Sequence, residues 1–324
     1  MWITAGPFAA NGHHLAMDER LRTHAAALGD VFSWADAQRY GVRPAQLAAW
    51  ASTGEVMRVR RNAYVVGQVW TDSPLDVQAR LRVRAVVHAS NGWVASHQSA
   101  LSVHNLPLHS TSLGVIDVVA DVSRMRESAR VRRHPRADNP HQVSVGGLSS
   151  VPIPWAIGQV ALREGVIPAL VALDRALHEE RTCLEDVRRA GHALAVGGED
   201  ARPVERLLAL ADARCESVGE TLTRVMLLDL GFRPTSQFVI TRRNGRFVAR
   251  VDFLLENGVV VEFDGAIKYA GEDKDEVLAA QDAREKAIRE LGYGVARLTW
   301  DDLDRPAVVL AKIRAALMEM AAAS

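Results

Sequence analysis

The stretch VVVEFDGAIKY, Val259 to Tyr269, constrains this chain more than any other. Three consecutive Val followed by Phe263 read as a strand covered on both faces, yet Glu262 and Asp264 interrupt it with two carboxylates. An ionised carboxylate buried without a partner costs several kcal/mol, comparable to the whole stability of a domain. A fold that accepts this strand therefore supplies a counter-charge: a bound cation, or a Lys or Arg brought from elsewhere in the chain.

With 324 residues, 48% hydrophobic and 24% charged, the chain has room for two or three domains with cores of their own. No apolar run approaches the roughly 20 residues of a membrane helix. The first residues, MWITAGPFAANGHHLAM, lack the basic start and apolar centre of a signal peptide, so the chain is expected to be cytoplasmic with no membrane partner. Cys183 and Cys215 stand apart in helical sequence with no CxxC pairing, which argues against a disulfide framework or structural zinc. The net charge is zero but unevenly spread. Sixteen Lys and Arg face eleven Asp and Glu up to residue 150, and twenty-three face twenty-eight beyond it. A basic front half suits a polyanionic partner and an acidic remainder suits metal binding, although random scatter of surface charge accounts for the split equally well.

Residues 1–16 have no periodic pattern and are expected to be disordered, with Met17 an alternative start. From 17 to 75 the chain reads as three short helices and a hairpin. Apolar residues recur at helical spacing in MDERLRTHAAAL; Ser33 caps WADAQRYG; Pro44 opens PAQLAAWASTG, which Gly54 closes. VMRVRRNAYVV then alternates apolar and basic residues as a half-buried hairpin does. This order is that of a winged helix-turn-helix, whose third helix enters the DNA major groove while the hairpin lies along the phosphates. Arg43, Gln46 and Trp50 are then the expected groove contacts, and Arg58, Arg60, Arg61 and Asn62 the wing contacts. A small helical cap with solvated arginines is the plainer alternative.

GVRPAQLAAWASTGEVMRVRRNAYVV resembles the N-terminal winged-helix domain of AbiEi-family antitoxins, DNA-binding members of type IV toxin-antitoxin systems. Asn62 and Ala63 replace the usual glycine before Tyr64, and Asn tolerates the positive φ of such a turn. The segment 76–200 is expected to form an α/β middle domain. Within it, SRMRESARVRRHP carries an arginine cluster that either extends a DNA surface or is a solvated loop. His97 and His104 lie seven apart with no third ligand nearby in sequence, and read as packing or hydrogen-bonding residues.

From 201 to 324 the predicted order is αβββαβ, that of a restriction-endonuclease core. There an Asp near the end of the second strand and a Glu in the third chelate Mg²⁺, which polarises the scissile phosphate and activates water. Asp252 and Glu262 fit, ten residues apart on adjacent strands; Asp264 shares the Glu262 face by strand alternation, and Glu220 on the preceding helix is the natural fourth carboxylate. The opposite reading pairs Glu262 and Asp264 with Arg250 or Arg284, with no metal.

Glu220 and Arg224 in ETLTR, Asp252 in VDFLL, the residues Glu262, Asp264, Gly265, Lys268 and Tyr269, then Arg284, Glu285 and GYGVARLTWDDL, together resemble the very-short-patch-repair-endonuclease-like members of the PD-(D/E)XK superfamily, in the actinobacterial form fused behind an AbiEi-like domain. The resemblance implies an α/β multidomain protein with a winged helix-turn-helix, a middle domain and a restriction-endonuclease-like core. It also implies Mg²⁺ or Mn²⁺ as cofactor, DNA as partner and phosphodiester hydrolysis as activity. Asp264 stands where the superfamily signature carries lysine, so Lys268 is the expected substitute beside the nucleophile, and Gln281 and Asp282 replace a Glu-Lys pair on the following helix. The alternative is a non-catalytic repressor or antitoxin, paired with a cognate toxin, that keeps the nuclease fold as scaffold.

Overall fold

The computed structural model describes residues 16–110, 114–136, 142–195, 200–265 and 274–323, with backbone alone for 274–279 and 323. The expectation of a disordered start therefore lies outside the described residues, as do Lys268 and Tyr269. The chain is a mixed α/β protein divided into two compact units, Met1–His104 with Ser112–Pro152, and Asn105–Thr111 with Ile153–Ser324.

The first unit opens with α1 (Glu19–Ala27), β1 (Val31–Ser33), α2 (Trp34–Arg39), α3 (Pro44–Thr53), β2 (Val56–Arg60) and β3 (Ala63–Val66). The strands form an antiparallel sheet in the order β1-β3-β2. Local chemistry sets these boundaries. Asp18 accepts the N–H groups of Arg20 and Leu21 at the start of α1, and Ser33 and Asp36 exchange hydrogen bonds as a capping box on α2. α3 begins at Pro44 and stops at Gly54, whose φ of 83° is left-handed. Asn62 turns the β2–β3 hairpin at φ 65°. At the other end of the hairpin Gly67 leaves β3 so close to the end of α3 that a Cβ there would sit 1.8 Å from the Gly54 carbonyl oxygen. Leu21, Phe32, Leu47, Trp50, Val56 and Tyr64 form the core beneath, with the Phe32 and Tyr64 rings stacked at 5.3 Å.

The same unit continues through α4 (Gly67–Asp72), α5 (Leu75–His88), β4 (Val94–Ala95), α6 (His97–Val103), β5 (Ile116–Ala120), β6 (Arg126–Ser128), β7 (Val131–Pro135), β8 (Val143–Val145) and β9 (Leu148–Ser150). These strands make a second, mixed sheet in the order β6-β7-β5-β4-β9-β8, with β5 and β7 parallel. α5 ties the two sheets together. Its His88 lies 2.6 Å from Asp36, and its Arg84 donates to the Leu28 carbonyl at 3.1 Å and to the Gly146 carbonyl, between β8 and β9, at 3.3 Å. Against the cost of burial, hydrogen bonds from Ser33 and His88 hold the Asp36 carboxyl well below the usual range.

The second unit begins with the helices α7 (Ile153–Arg163), α8 (Val166–His178), α9 (Leu184–Leu194) and α10 (Arg202–Leu210). Then follow α11 (Val218–Asp229), β10 (Thr235–Thr241), β11 (Phe247–Leu254), β12 (Val259–Phe263), α12 (Lys274–Arg289), β13 (Gly294–Leu298) and α13 (Pro306–Ala323). The sheet order is β10-β11-β12-β13, antiparallel except for the parallel β12–β13 pair. The three Val are accounted for by two cores. Val259 and Val261 join Leu227, Phe253 and Ile313, while Val260 joins Ile240, Ile288 and Val295.

The division between units falls inside the segment 76–200, so its strands and its later helices separate. A buried ion pair shows why the helices stay with the last third of the chain: Arg224 on α11 donates to Asp174 on α8 at 2.9 Å, and Thr221 donates to the same carboxylate at 3.0 Å. Among the described residues no helix is long and apolar enough to cross a membrane.

Candidate functional site

In the second unit, the antiparallel pairing that sets Phe253 opposite Val261 brings Asp252 beside Glu262. The Phe263 N–H donates to Asp252 Oδ2 at 2.8 Å. Glu220, buried in the first turn of α11, accepts from the Glu216 N–H and from Gln237 Nε2, each at 2.9 Å. Burial, opposed by the Phe263 N–H and reinforced by the charges of Glu220 and Glu262, pushes the Asp252 carboxyl up to about 6. Asp252 therefore feels the charges of two of the other three expected carboxylates.

Glu262 finds its counter-charge within the chain. Arg284 of α12 donates to its Oε1 at 2.6 Å, and Arg297, its partner in register on β13, lies 3.4 Å from Oε2. Arg250 pairs instead with Glu216, at 2.9 Å. Asp264 lies past the last residue of β12, so strand alternation ends before it; its N–H donates to the Leu298 carbonyl at 2.7 Å. All-oxygen donors of this kind suit Mg²⁺ or Mn²⁺ in chemistry. The side chains as placed direct Glu262 to arginine, however, and do not draw three of these carboxylates into one ligand set.

One set of three ligand-type side chains does bring its atoms within 4.8 Å of one another among the described residues: His97, Asp117 and His134, in the first unit. His134 Nε2 lies 2.8 Å from Asp117 Oδ1, Gln98 Nε2 donates to Asp117 Oδ2 at 3.2 Å, and the Ser96 hydroxyl lies 3.1 Å from His97 Nδ1. The two imidazoles stack at 4.1 Å, and His97 takes a left-handed φ of 50°. Against burial, His134 and His97 hold the Asp117 carboxyl below its ordinary value. Two imidazoles and a carboxylate suit zinc-like ions more than Mg²⁺. His97 packs and hydrogen-bonds as expected, and no third ligand lies near it in sequence; Asp117 and His134 reach it through the fold, with Asp117 inside the apolar run GVIDVVA the available signal. His104 does act as a hydrogen-bonding residue, with Nε2 2.8 Å from the Val151 carbonyl oxygen.

Of the expected DNA contacts, Trp50 is corrected: it is 4% exposed in the core beneath α3, one turn from Leu47, and presents no surface to a partner. Gln46 is partly committed, since its Oε1 accepts the Arg43 N–H at 3.0 Å and caps α3. Arg43, Arg58, Arg61 and Asn62 are exposed. Arg60 is half-buried, its guanidinium 5.6 Å from the centre of the Trp93 ring.

No protein-family model matches the chain. Two relatives, both described as uncharacterized proteins of Mycobacterium tuberculosis, from strains CDC 1551 / Oshkosh and ATCC 25618 / H37Rv, are 28% identical over 184 residues. The match covers 56% of this chain and 66% of each relative, slightly under two thirds of their length.

Proposed function

We propose that the protein binds DNA through α1–β3 and hydrolyses DNA phosphodiester bonds with Mg²⁺ or Mn²⁺ at the carboxylates of its second unit. The observation that carries the reading is the placement of Asp252 beside Glu262 on adjacent strands with Glu220 buried nearby, where burial first and the neighbouring acids second raise the Asp252 carboxyl and a divalent cation would relieve that penalty. The winged-helix part is supported by three helices around the β1-β3-β2 sheet, with Arg58 and Arg61 exposed on the hairpin. The restriction-endonuclease-like part is supported by the order α11-β10-β11-β12-α12-β13 with acids on β11, β12 and α11.

In this reading Asp252 and Glu262 would hold the ion and Glu220 and Asp264 would assist directly or through water, while the role expected of Lys268 beside the nucleophile falls outside the described residues. The ion supplies polarisation of the phosphate and activation of water. Nicking of supercoiled plasmid in Mn²⁺ tests it, with loss of nicking expected for Asp252→Ala. DNA binding without any cleavage would overturn the catalytic part.

A second reading, a non-catalytic repressor or antitoxin with a toxin partner, is favoured by the contacts of Arg284 and Arg297 with Glu262, which neutralise that carboxylate without metal. It predicts DNA binding that is indifferent to divalent cations.

A further inference from the structure

Arg60 packs its guanidinium over Trp93, at the edge of a cavity of about 240 Å³ that Trp93, Asp121, Arg133 and Arg136 help to line. The cavity lies at the carboxyl ends of the parallel strands β5 and β7, where both chains leave the sheet. Two guanidinium groups, those of Arg133 and Arg136, line the recess and a third, Arg60, stands against its Trp93 wall; none of the three forms an ion pair with a carboxylate among the described residues. Arg133 Nη2 donates to the Ser128 hydroxyl at 3.0 Å and Arg136 Nη2 to the Gly92 carbonyl at 2.7 Å. Arg60 Nη1 and Arg133 Nε are buried with no hydrogen-bond partner. Burial, then the neighbouring charge of Arg133, lowers the Arg60 guanidinium from its ordinary value.

Buried, unsatisfied N–H donors on mutually repelling cations are costly unless an acceptor from outside completes them. The acceptor has to be anionic, rich in oxygen and compact enough for a recess of this size; a phosphate group meets all three conditions and matches the planar fork of arginine. A phosphate carried at the end of a chain can enter a recess that the continuous backbone of a duplex passes over.

We propose that this recess binds a phosphate monoester through Arg133 and Arg136, with the charge of Arg60 behind the Trp93 wall adding to its attraction for an anion. The group is either the terminal phosphate of a nucleic-acid strand or that of a free nucleotide. The recess itself does not depend on the DNA reading above; only the assignment of the monoester to a strand end does.

Fluorescence anisotropy of the full chain with short single-stranded oligonucleotides tests this, comparing 5′-phosphate, 3′-phosphate and hydroxyl ends, with deoxynucleoside monophosphate as competitor. Binding at least about tenfold tighter for one phosphorylated end is expected, from one or two added charge-assisted hydrogen bonds. That ratio is expected to fall to about one in Arg133→Met, and in Arg136→Met as a second variant whose folding is checked by its melt. Equal affinity for all ends, with no competition by the monophosphate, overturns the recess while leaving the DNA reading intact. A ratio that persists in both variants also overturns it. If no oligonucleotide binds but the monophosphate raises the melting temperature of wild type and of neither variant, the recess stands with a free nucleotide as its source and the DNA reading falls.

Discussion

Replacing Asp252 by Asn removes a charge without removing a hydrogen bond, since the amide oxygen can still accept the Phe263 N–H now held at 2.8 Å. The wild-type carboxyl is pushed from its ordinary 3.8 up to about 6 by burial and by the charges of Glu220 and Glu262. A shift of that size penalises the charged form by about 3 kcal/mol at neutral pH. The folded chain favours the protonated acid, so between about pH 4 and pH 6 it holds more protons than the unfolded chain. The associated stability is present in full below the ordinary pKa and is lost as pH rises through the folded value. In EDTA, Asp252→Asn is therefore expected to be more stable than wild type by about 2–3 kcal/mol near pH 7.5, with the gap closing near pH 4. Urea melts at the two pH values measure it. A variant less stable than wild type at neutral pH, or a gap of the same size at both, would refute the conclusion that burial, with the charges of Glu220 and Glu262 beside it, penalises the ionised Asp252.

Arg224→Met strands the buried Asp174 carboxylate and is expected to cost about 3–5 kcal/mol by urea melt, whereas the double change with Asp174→Leu recovers much of the loss. Gly219→Ala would place a Cβ 1.9 Å from the Phe263 ring, so a loss of about 1–3 kcal/mol in thermal or urea melts is expected from overpacking against β12. Arg58→Ala and Arg61→Ala, both on the exposed side of the hairpin, are expected to weaken binding about equally for all DNA sequences and to flatten log K against log salt by roughly 0.9 for each phosphate no longer neutralised. An unchanged slope would remove the hairpin from the interface.

Much of this architecture is legible in local sequence because local chemistry sets it. The Ser33 and Asp36 cap, the Gly54 stop and the apolar run of β12 between two cores all follow from neighbours within a few residues. Trp50 shows how a motif can mislead: its place in the third helix of the expected winged helix-turn-helix suggests a groove residue, yet it sits at i+3 from Leu47, and that spacing already puts it on the core face. Placing Asp264 on the Glu262 face requires β12 to continue to it, but the strand ends at Phe263. Other features depend on neighbours distant in sequence. His97 meets Asp117 and His134 only through strand pairing, and the Asp174–Arg224 bond that unites the helices with the last sheet spans fifty residues. The charge balance at Glu262 is legible as an alternative between metal and arginine, with Arg284 among the candidates; Arg297 enters through the parallel β12–β13 register, which the linear order does not reveal.

Mn²⁺ uptake, followed by the electron paramagnetic resonance of the free ion, separates the proposed cation site at Asp252 and Glu262 from the arginine-neutralised alternative. Wild type is expected to remove about one Mn²⁺ per chain from solution, Asp252→Asn to remove none, and His134→Ala, at the other ligand-type cluster, to behave as wild type. No uptake by wild type, or uptake that survives Asp252→Asn and disappears in His134→Ala, would rule out a cation site at Asp252.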